Sequence, residues 1–336
     1  MKKLLIHIGY PKTATSTLQL NLFSKLCKEG QIEYLNHLVK SNPNFGNIKC
    51  TKIIAYVLGQ TDSTEFQDEI DGIKSITNTT TVISNENISF FEENFSWAYL
   101  GHNGYLNLNR VKEVFDPYFD HIEILIGIRN QSNLIPSFYA EAYNMIVQEE
   151  KKFKRFDTWL ETNFKSSVPT SQLPFNFYQM AQHASSLFGK ENIHFLFFEE
   201  LKSSPDSFYK KLASVLDHNV EYIKSSLSTN FKNVTVKNTD GSLTANKKTL
   251  NMIITDPFRK VLKRFDKNTF MKIREVYHLL IPGFIRNYKT NTAQKITAVS
   301  EEKIKYLNDL YEASNLCLQK EFDLPEKLMK ESGYFN

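Results

Sequence analysis

The sequence predicts an α/β fold in which a parallel central sheet is flanked by helices and followed by a helical C-terminal portion. Short β-rich runs alternate with longer segments of helical spacing, as in parallel sheets whose strands are joined by helices. The chain has 336 residues, 41% of them hydrophobic and 23% charged, which allows a large buried core. The alternation fades beyond residue 230. We therefore expect one domain over residues 1–336, with variable, mostly helical segments at 146–172 and 230–290 on the substrate side.

Five apolar or β-branched runs are predicted to be strands. They are residues 3–8, 32–35, 80–84, 121–128 and 193–198. The first run stops at Gly9 and Pro11, since both residue types commonly end strands. The run at 121–128, His-Ile-Glu-Ile-Leu-Ile-Gly-Ile, is the strongest because it is the longest.

Helical spacing of the apolar residues predicts helices between and after these strands. They are residues 15–28, 110–119, a stretch after Asn130 through 143, 177–188, 207–216 and 301–320. Leu18, Leu22 and Leu26 share one face of the first helix, which Gly30 ends. Ser300 is the expected N-cap of the last helix. We interpret the polar segment 146–172 as a solvated helical insertion or, alternatively, as a substrate lid.

Charge and cysteine content restrict the class of protein. The formal net charge of +4 is too small to indicate nucleic acid as a partner, but it suits an anionic cofactor. Three widely spaced cysteines show no metal-ligand spacing and are typical of a reducing compartment. The apolar N-terminal run is too short for a signal peptide, and no run reaches the ~18 apolar residues of a membrane span. We expect a cytoplasmic protein without a membrane span.

Residues 6–19, Ile-His-Ile-Gly-Tyr-Pro-Lys-Thr-Ala-Thr-Ser-Thr-Leu-Gln, join the first strand to the first helix. Free backbone amides at a helix start, together with the helix dipole, bind anions. Lys12 adds a positive charge, and four hydroxyls add donors: Thr13, Thr15, Ser16 and Thr17. The junction is predicted to bind a phosphate-like anion. The alternative is a helix start that is merely capped by threonines.

This junction differs from the Walker A loop of nucleotide triphosphatases. That loop requires Gly-x4-Gly-Lys-[Ser/Thr], whereas Lys12 follows Gly9 by only three residues. The shorter loop favours one terminal phosphosulfate-like group over a triphosphate.

The run from Tyr10 to Ser16 resembles the first loop of the 3′-phosphoadenosine-5′-phosphosulfate (PAPS)-dependent sulfotransferases, typically Tyr-Pro-Lys-x-Gly-Thr-Thr. The resemblance implies a P-loop NTPase-like sulfotransferase architecture that uses PAPS, yields PAP and needs no metal. It implies that the cofactor is bound by Pro11, Lys12, Thr13, Ala14, Thr15 and Ser16. Ser16 keeps a hydroxyl where threonine is usual. Ala14 replaces a glycine and suits that position if its φ is negative.

A second segment matches the same family. Its members hold the 3′-phosphate with an Arg at the end of a central strand and a Ser eight positions later, which fits Arg129 and Ser137. An Arg at the carboxyl end of a strand faces the crevice where open α/β sheets bind ligands. The alternative for Arg129 is a structural ion pair.

Weaker similarity extends along the chain. It includes an aromatic–Glu–x–Leu run at 197–201, Ser-Asn-Leu at 314–316, and Gly-Tyr at 333–334. The third cofactor segment of the animal cytosolic enzymes is missing, and Lys237 and Ser242 are its nearest substitutes.

Sulfuryl transfer needs a base that takes the acceptor proton and a cation that stabilises the leaving phosphate. Lys12 suits the second role. Family members use a His or a Glu before the Arg-bearing strand as base, and Glu86, after the strand at 80–84, matches that position. The alternative for Glu86 is a capping or charge-pairing carboxylate at a strand–helix junction, and His37 is the second candidate for the base.

We expect sulfuryl transfer from PAPS to an acceptor hydroxyl or amine of a small molecule or glycan. A carbohydrate is expected by family analogy. The alternatives are a P-loop kinase-like phosphotransferase, which would need the missing Walker A loop, and a non-catalytic PAP- or PAPS-binding module.

Overall fold

The structure is a computed structural model. It describes residues 1–35, 48–62, 66–91, 95–101, 104–227, 243–245, 295–296 and 299–336. Three predicted residues, His37, Lys237 and Ser242, and most of the segment 230–290 lie outside these residues.

Five parallel strands form the main sheet, in the order β2-β3-β1-β4-β5. They are β1 (Lys3–His7), β2 (Glu33–Tyr34), β3 (Thr80–Ser84), β4 (His121–Ile128) and β5 (Ile193–Phe197). β1 lies between β3 and β4, with His7 opposite Ser84 on one side and Leu125 on the other. The chain order therefore reverses direction around β1, and the crevice at such a reversal is where open α/β sheets bind ligands.

Helices connect and follow these strands. The first, α1, covers residues 15–28 as α-helix (Thr15–Thr17), π-helix (Leu18–Phe23) and α-helix (Ser24–Lys28). The others are α2 (Thr51–Val57), α3 (Gln67–Lys74), α4 (Gly104–Phe115), α5 (Gln131–Glu149), α6 (Phe156–Asn163), α7 (Phe177–Phe188), α8 (Glu200–Ser203), α9 (Pro205–Leu216), α10 (Val220–Leu227), α11 (Glu301–Phe322) and α12 (Glu326–Glu331). The predicted fold class, a parallel sheet flanked by helices, is confirmed.

One face of the sheet packs on α1, α9 and α10. Leu18, Leu22 and Leu26 are buried there, as their spacing predicts, against Leu5 and Leu125 of the central strands. The buried apolar surface of these elements fixes α1 to the sheet, and α1 in turn carries the junction at its own N-terminus.

The structure corrects the helix predicted at 110–119. It begins at Gly104 and ends at Phe115, before Pro117, whose ring cannot continue a helix. Gly104 packs closely on the preceding turn, since a Cβ there would lie 2.3 Å from the carbonyl oxygen of Ser89. The short helices α2, α3 and α10 have no counterpart among the predicted elements.

The chain divides into two compact units. The first comprises Met1–Ile135, Thr162–Val234 and Ser300–Asn336, and the second comprises Pro136–Glu161 and Thr235–Val299. The expectation of one domain stays a prediction.

The second unit contains an aromatic cluster. Tyr139 packs on Phe156 and Trp159 and donates a hydrogen bond to the Phe153 carbonyl at 2.7 Å. The lysines around Phe153 are exposed. The segment that begins at 146 is thus helical as predicted, but it buries apolar side chains and is not solvated throughout. None of the helices described is long and apolar enough to cross a membrane.

Candidate active site

The junction after β1 continues the sheet before it turns. The Ile8 amide donates to Leu125 O at 3.0 Å, and the Tyr10 amide donates to Gly127 O at 2.9 Å. Beyond Tyr10 the chain turns through Pro11 and Lys12 into α1. The loop is therefore held against β4 by its first residues.

Two glycines allow this close approach. A Cβ on Gly127 would lie 2.9 Å from Thr13 Oγ1 and 3.1 Å from Gly9 Cα. A Cβ on Gly9 would lie 2.8–2.9 Å from His7 Nε2 and from the hydroxyls of Thr13 and Thr15. Side chains at either position would push the loop away from the strand, because real Cβ atoms do not approach so closely.

Two residues of the loop have left-handed backbone conformations. The φ angles of Lys12 and Ala14 are +69° and +70°. The condition set for Ala14, a negative φ, is thus not met, because the backbone has the conformation that glycine adopts without strain. For an alanine, the contact between Cβ and the following carbonyl costs about 1–2 kcal/mol. Such turns direct backbone amides toward one point, which is an anion-binding arrangement.

The start of α1 carries an unsatisfied hydroxyl. Thr15 is 3% exposed, and its Oγ1 has no hydrogen-bond partner. The amides of Thr17 and Leu18 donate to Ala14 O at 2.9 and 3.1 Å, which closes the first turn. A buried hydroxyl without a partner is costly, and a bound anion would satisfy it. The loop therefore fits a phosphate-like group.

His7 lies beneath the loop and is fully buried. Its Nδ1 is 2.8 Å from Ser84 Oγ, which also accepts a hydrogen bond from Gln19 Nε2 at 3.2 Å. Burial lowers the pKa of His7 to about 3, so the ring is neutral.

Arg129 follows β4 and lies beside the same loop. Its Nη1 donates to Lys12 O at 3.4 Å, and its guanidinium group stacks over the Phe198 ring at 4.7 Å. Burial lowers its pKa, and the charge of Glu199 opposes this change. Among the residues described, no carboxylate lies within 4.0 Å of the guanidinium nitrogens, so the alternative of a structural ion pair is not realised there.

Ser137, the predicted partner of Arg129, belongs to the second compact unit. It is 4% exposed and lies on α5, one residue after Pro136. It has hydrogen-bond or other polar contacts within the chain.

Glu86 lies two residues beyond β3 and begins a 3₁₀ turn (Glu86–Ser89). The Asn85 amide donates to His7 O at 3.0 Å, so the pairing of β3 with β1 continues to the base of the loop. Asn85 Oδ1 accepts from the Asn87 amide and caps the turn. Asn85 therefore caps the turn, and Glu86 is half-buried and has polar contacts of its own within the chain.

Comparison with known proteins identifies the family. Residues 2–278 match the family model described as sulfotransferase domain. The chain belongs to the PAPS-dependent sulfotransferase family. The resemblance inferred from the loop and from Arg129 is thereby confirmed, as is the enzyme class.

Solved sulfotransferase structures are similar at low identity. The sulfotransferase from Alicyclobacillus acidocaldarius has 16% identity and a TM-score of 0.40, over 66% of this chain and 83% of that one. Mouse sulfotransferase SULT7A1, complexed with PAP, has 15% identity and a TM-score of 0.37, over 70% and 69%. STF9 from Mycobacterium avium has 9% identity and a TM-score of 0.36, over 79% and 77%. No curated protein sequence matches the chain.

A pocket of about 370 Å³, partly open to solvent, adjoins the loop of this sulfotransferase. Tyr10 forms part of its wall, next to Ser89 and Phe90 at the end of the turn that Glu86 begins. The remaining walls are mostly apolar: Phe95, Leu100, Gly101, Tyr105, Leu173, Pro174, Phe175, Asn176 and Met180. Burial raises the pKa of Tyr105 to about 12, so its hydroxyl is neutral. No periodic pattern in the sequence indicates this pocket, because its walls come from seven separated stretches of the chain.

Sequence reasoning also missed Glu199, Asn130 and Tyr334, which surround Arg129. The Asn130 amide donates to Glu199 Oε1 at 2.9 Å, and the Tyr334 hydroxyl donates to Glu199 Oε2 at 3.2 Å. The aromatic–Glu run and the final Gly-Tyr pair were noticed only as family similarity. Their polar residues at strand and chain ends were the signal that could have placed them at the site.

Proposed function

We propose that this sulfotransferase moves a sulfuryl group from PAPS to an acceptor hydroxyl or amine, with Glu86 as base. The main support is the loop at the end of β1. It combines left-handed turns at Lys12 and Ala14 with the buried, unpartnered hydroxyl of Thr15. A capped helix start needs neither feature, whereas an anion site uses both.

The residues proposed to hold PAPS form two groups. The loop residues bind the 5′-phosphosulfate end: Pro11, Lys12, Thr13, Ala14, Thr15 and Ser16. Arg129 and Ser137 bind the 3′-phosphate. The bond from Arg129 to Lys12 O supports the assignment of Arg129 to the same site as the loop. PAPS supplies the activated sulfuryl group, and PAP is the leaving product.

Two side chains have roles in the proposed reaction: one accepts a proton, and the other stabilises the negative charge that develops. As the acceptor oxygen or nitrogen bonds to sulfur, Glu86 takes the acceptor proton. The bond from sulfur to the phosphate oxygen breaks, and Lys12 stabilises the negative charge left on that oxygen. The continued pairing of β3 with β1 supports this assignment, since it brings residue 86 to the base of the loop.

The pocket beside Tyr10 is the proposed acceptor site. Its aromatic walls suit stacking on the apolar face of a carbohydrate ring. Leu100, Leu173 and Met180 favour an apolar or aromatic alcohol as the second candidate. A cytoplasmic location is likewise proposed, and the free thiols of Cys27, Cys50 and Cys317 support it.

Ligand-induced thermal stabilisation tests the cofactor. We expect PAP to raise Tm more than ATP with Mg²⁺ does, because binding to the native state stabilises by mass action. The reverse ranking would favour the kinase-like alternative. Binding of PAP without any turnover across an acceptor panel would favour the non-catalytic module.

Transfer of labelled sulfate from PAPS to sugar and aromatic alcohols tests the chemistry. We expect Glu86→Gln to lower kcat by about 10²–10⁴-fold while PAP affinity is kept. Lys12→Ala should lower both kcat and PAP affinity. Glu302→Gln and Lys305→Ala, which change exposed residues of α11, are the matched controls. Full turnover in Glu86→Gln, together with its loss in His37→Ala, would transfer the base role to His37.

A further inference from the structure

The last residues of the chain are buried beside Arg129. We define residues 333–335 as the C-terminal clip. Within it, Tyr334 is fully buried, and Phe335 is 4% exposed. The Tyr334 amide donates to Met329 O at 3.0 Å, and its ring packs edge-on against Phe197 of β5.

The clip holds the residue that follows Arg129. Asn130 Nδ2 donates to Gly333 O at 2.7 Å. The Asn130 amide donates to one oxygen of Glu199, and the Tyr334 hydroxyl donates to the other. Glu199 therefore connects the clip to the backbone at the end of β4.

A second link holds the next residue. Gln131 and Asn315 exchange hydrogen bonds through their side-chain amides, both at 3.1 Å. Asn315 Nδ2 also donates to Tyr334 O at 3.0 Å. Both amide side chains are 1% exposed, so every one of these bonds is shielded from water.

The side chain of Arg129 is held by residues next to those that the clip contacts. Its guanidinium group stacks on Phe198, which lies between Phe197, packed on Tyr334, and Glu199, bonded to Tyr334. The residue after Arg129 is thus bonded to the clip directly, and the Arg129 side chain rests on Phe198, whose two chain neighbours contact Tyr334. Bidentate binding of a phosphate by Arg depends on such orientation, because the guanidinium fork is planar and rigid.

We propose that the C-terminal clip is a positioning element of the cofactor site: through Asn130 and Glu199, Tyr334 and Gly333 orient Arg129 toward the 3′-phosphate. The inference depends on the proposed function, in which Arg129 binds that phosphate. Tyr334 is a positioning residue and does not touch the cofactor.

Calorimetric titration with PAP and with adenosine 5′-phosphate, which lacks the 3′-phosphate, tests the clip. Tyr334→Phe removes one hydroxyl and keeps the buried ring. We expect it to weaken PAP binding about tenfold, which is the scale of a lost hydrogen bond to a charged group. Binding of adenosine 5′-phosphate should change less than about twofold, because that ligand makes no use of Arg129. Tyr306→Phe, which removes a hydroxyl bonded to Phe164 O, is the matched control and should leave both affinities unchanged.

A double-mutant cycle separates positioning from general stability. In an Arg129→Ala background, Tyr334→Phe should cause no further loss of PAP affinity if it acts through Arg129. Equal losses for both ligands, no loss for either, or an additive loss in the double mutant would overturn the proposal. If Tyr334→Phe does not fold, the same titrations and the same cycle are carried out with Gly333→Ala, with the same outcomes expected. A Cβ there meets no atom closer than 3.7 Å, but φ is +78°, so the strain displaces the carbonyl that Asn130 binds.

Failure of the proposed function gives a different result. A wild-type protein that binds PAP no better than adenosine 5′-phosphate, or an Arg129→Ala variant with unchanged PAP affinity, would refute the role of Arg129 itself.

Discussion

Burial of His7 beneath the loop that follows β1 predicts a specific loss of folding stability in acid. The folded-state pKa is about 3, against 6.5 for an unperturbed imidazole. A group whose pKa is depressed by folding stabilises the native state above its unfolded pKa. That stabilisation is lost as the pH falls from 6.5 towards 3, because only the unfolded chain binds the proton. The linkage relation gives a loss of about 2 kcal/mol between pH 7 and pH 5, and about 3 kcal/mol by pH 4.

Two measurements check this prediction. In protein labelled on its eight histidines, the His7 resonance, assigned with His7→Gln, should not titrate between pH 8 and pH 5. Urea unfolding at pH 7 and pH 5 should show that wild type loses about 2 kcal/mol more than His7→Gln, since glutamine has no proton to gain. The difference between the two proteins cancels the contribution of all other titrating groups.

The reasoning would be refuted by a His7 resonance that titrates near pH 6.5, or by equal acid losses in wild type and variant. Either result would mean that water or a counter-charge reaches the imidazole. The hydrogen bond between His7 and Ser84 and the one from Gln19 to Ser84 would then not describe the native loop.

Three further substitutions test the loop and its support. Ala14→Gly should stabilise the protein by about 0.5–1 kcal/mol in urea unfolding, because relief of the left-handed alanine exceeds the entropy cost of glycine; a loss of stability would contradict the assigned φ. Gly127→Ala should weaken PAP binding roughly tenfold or more in calorimetry, as its Cβ would displace Thr13, and unchanged affinity would mean that the loop adapts. Glu69→Ala should cost about 1–2 kcal/mol in urea unfolding, because Glu69 Oε2 accepts from two amides at the start of α2; a cost near zero would mean that water replaces it.

The strands were predictable because each is an apolar run bounded by turn residues. β3 and β4 have the predicted bounds, and β1 and β5 each end one residue early. The start of the last helix was equally predictable, since Ser300 Oγ accepts a hydrogen bond from the Lys303 amide as an N-cap should. Local chemistry determines these elements, and local chemistry is what a single sequence displays.

The missed helices depend on distant residues. Cys50, the N-cap of α2, makes no side-chain capping bond, and the cap comes from Glu69 of α3. No pattern around residues 51–57 indicates that partner. Likewise, the close packing of Gly104 on Ser89 is a contact that only the folded chain creates.

The loop after β1 likewise combines features that its own sequence indicates with features that depend on distant residues. Its residues suggest that every hydroxyl is a donor to the anion, but the Thr13 hydroxyl donates to Tyr10 O at 2.5 Å. Its proton is thereby engaged in closing the turn, and Thr13 Oγ1 fits there because Gly127 has no side chain. Thr15 Oγ1, in contrast, is buried without a partner and remains available. A motif therefore identifies which residues matter, whereas their hydrogen bonds decide which of them shape the loop and which can bind the ligand.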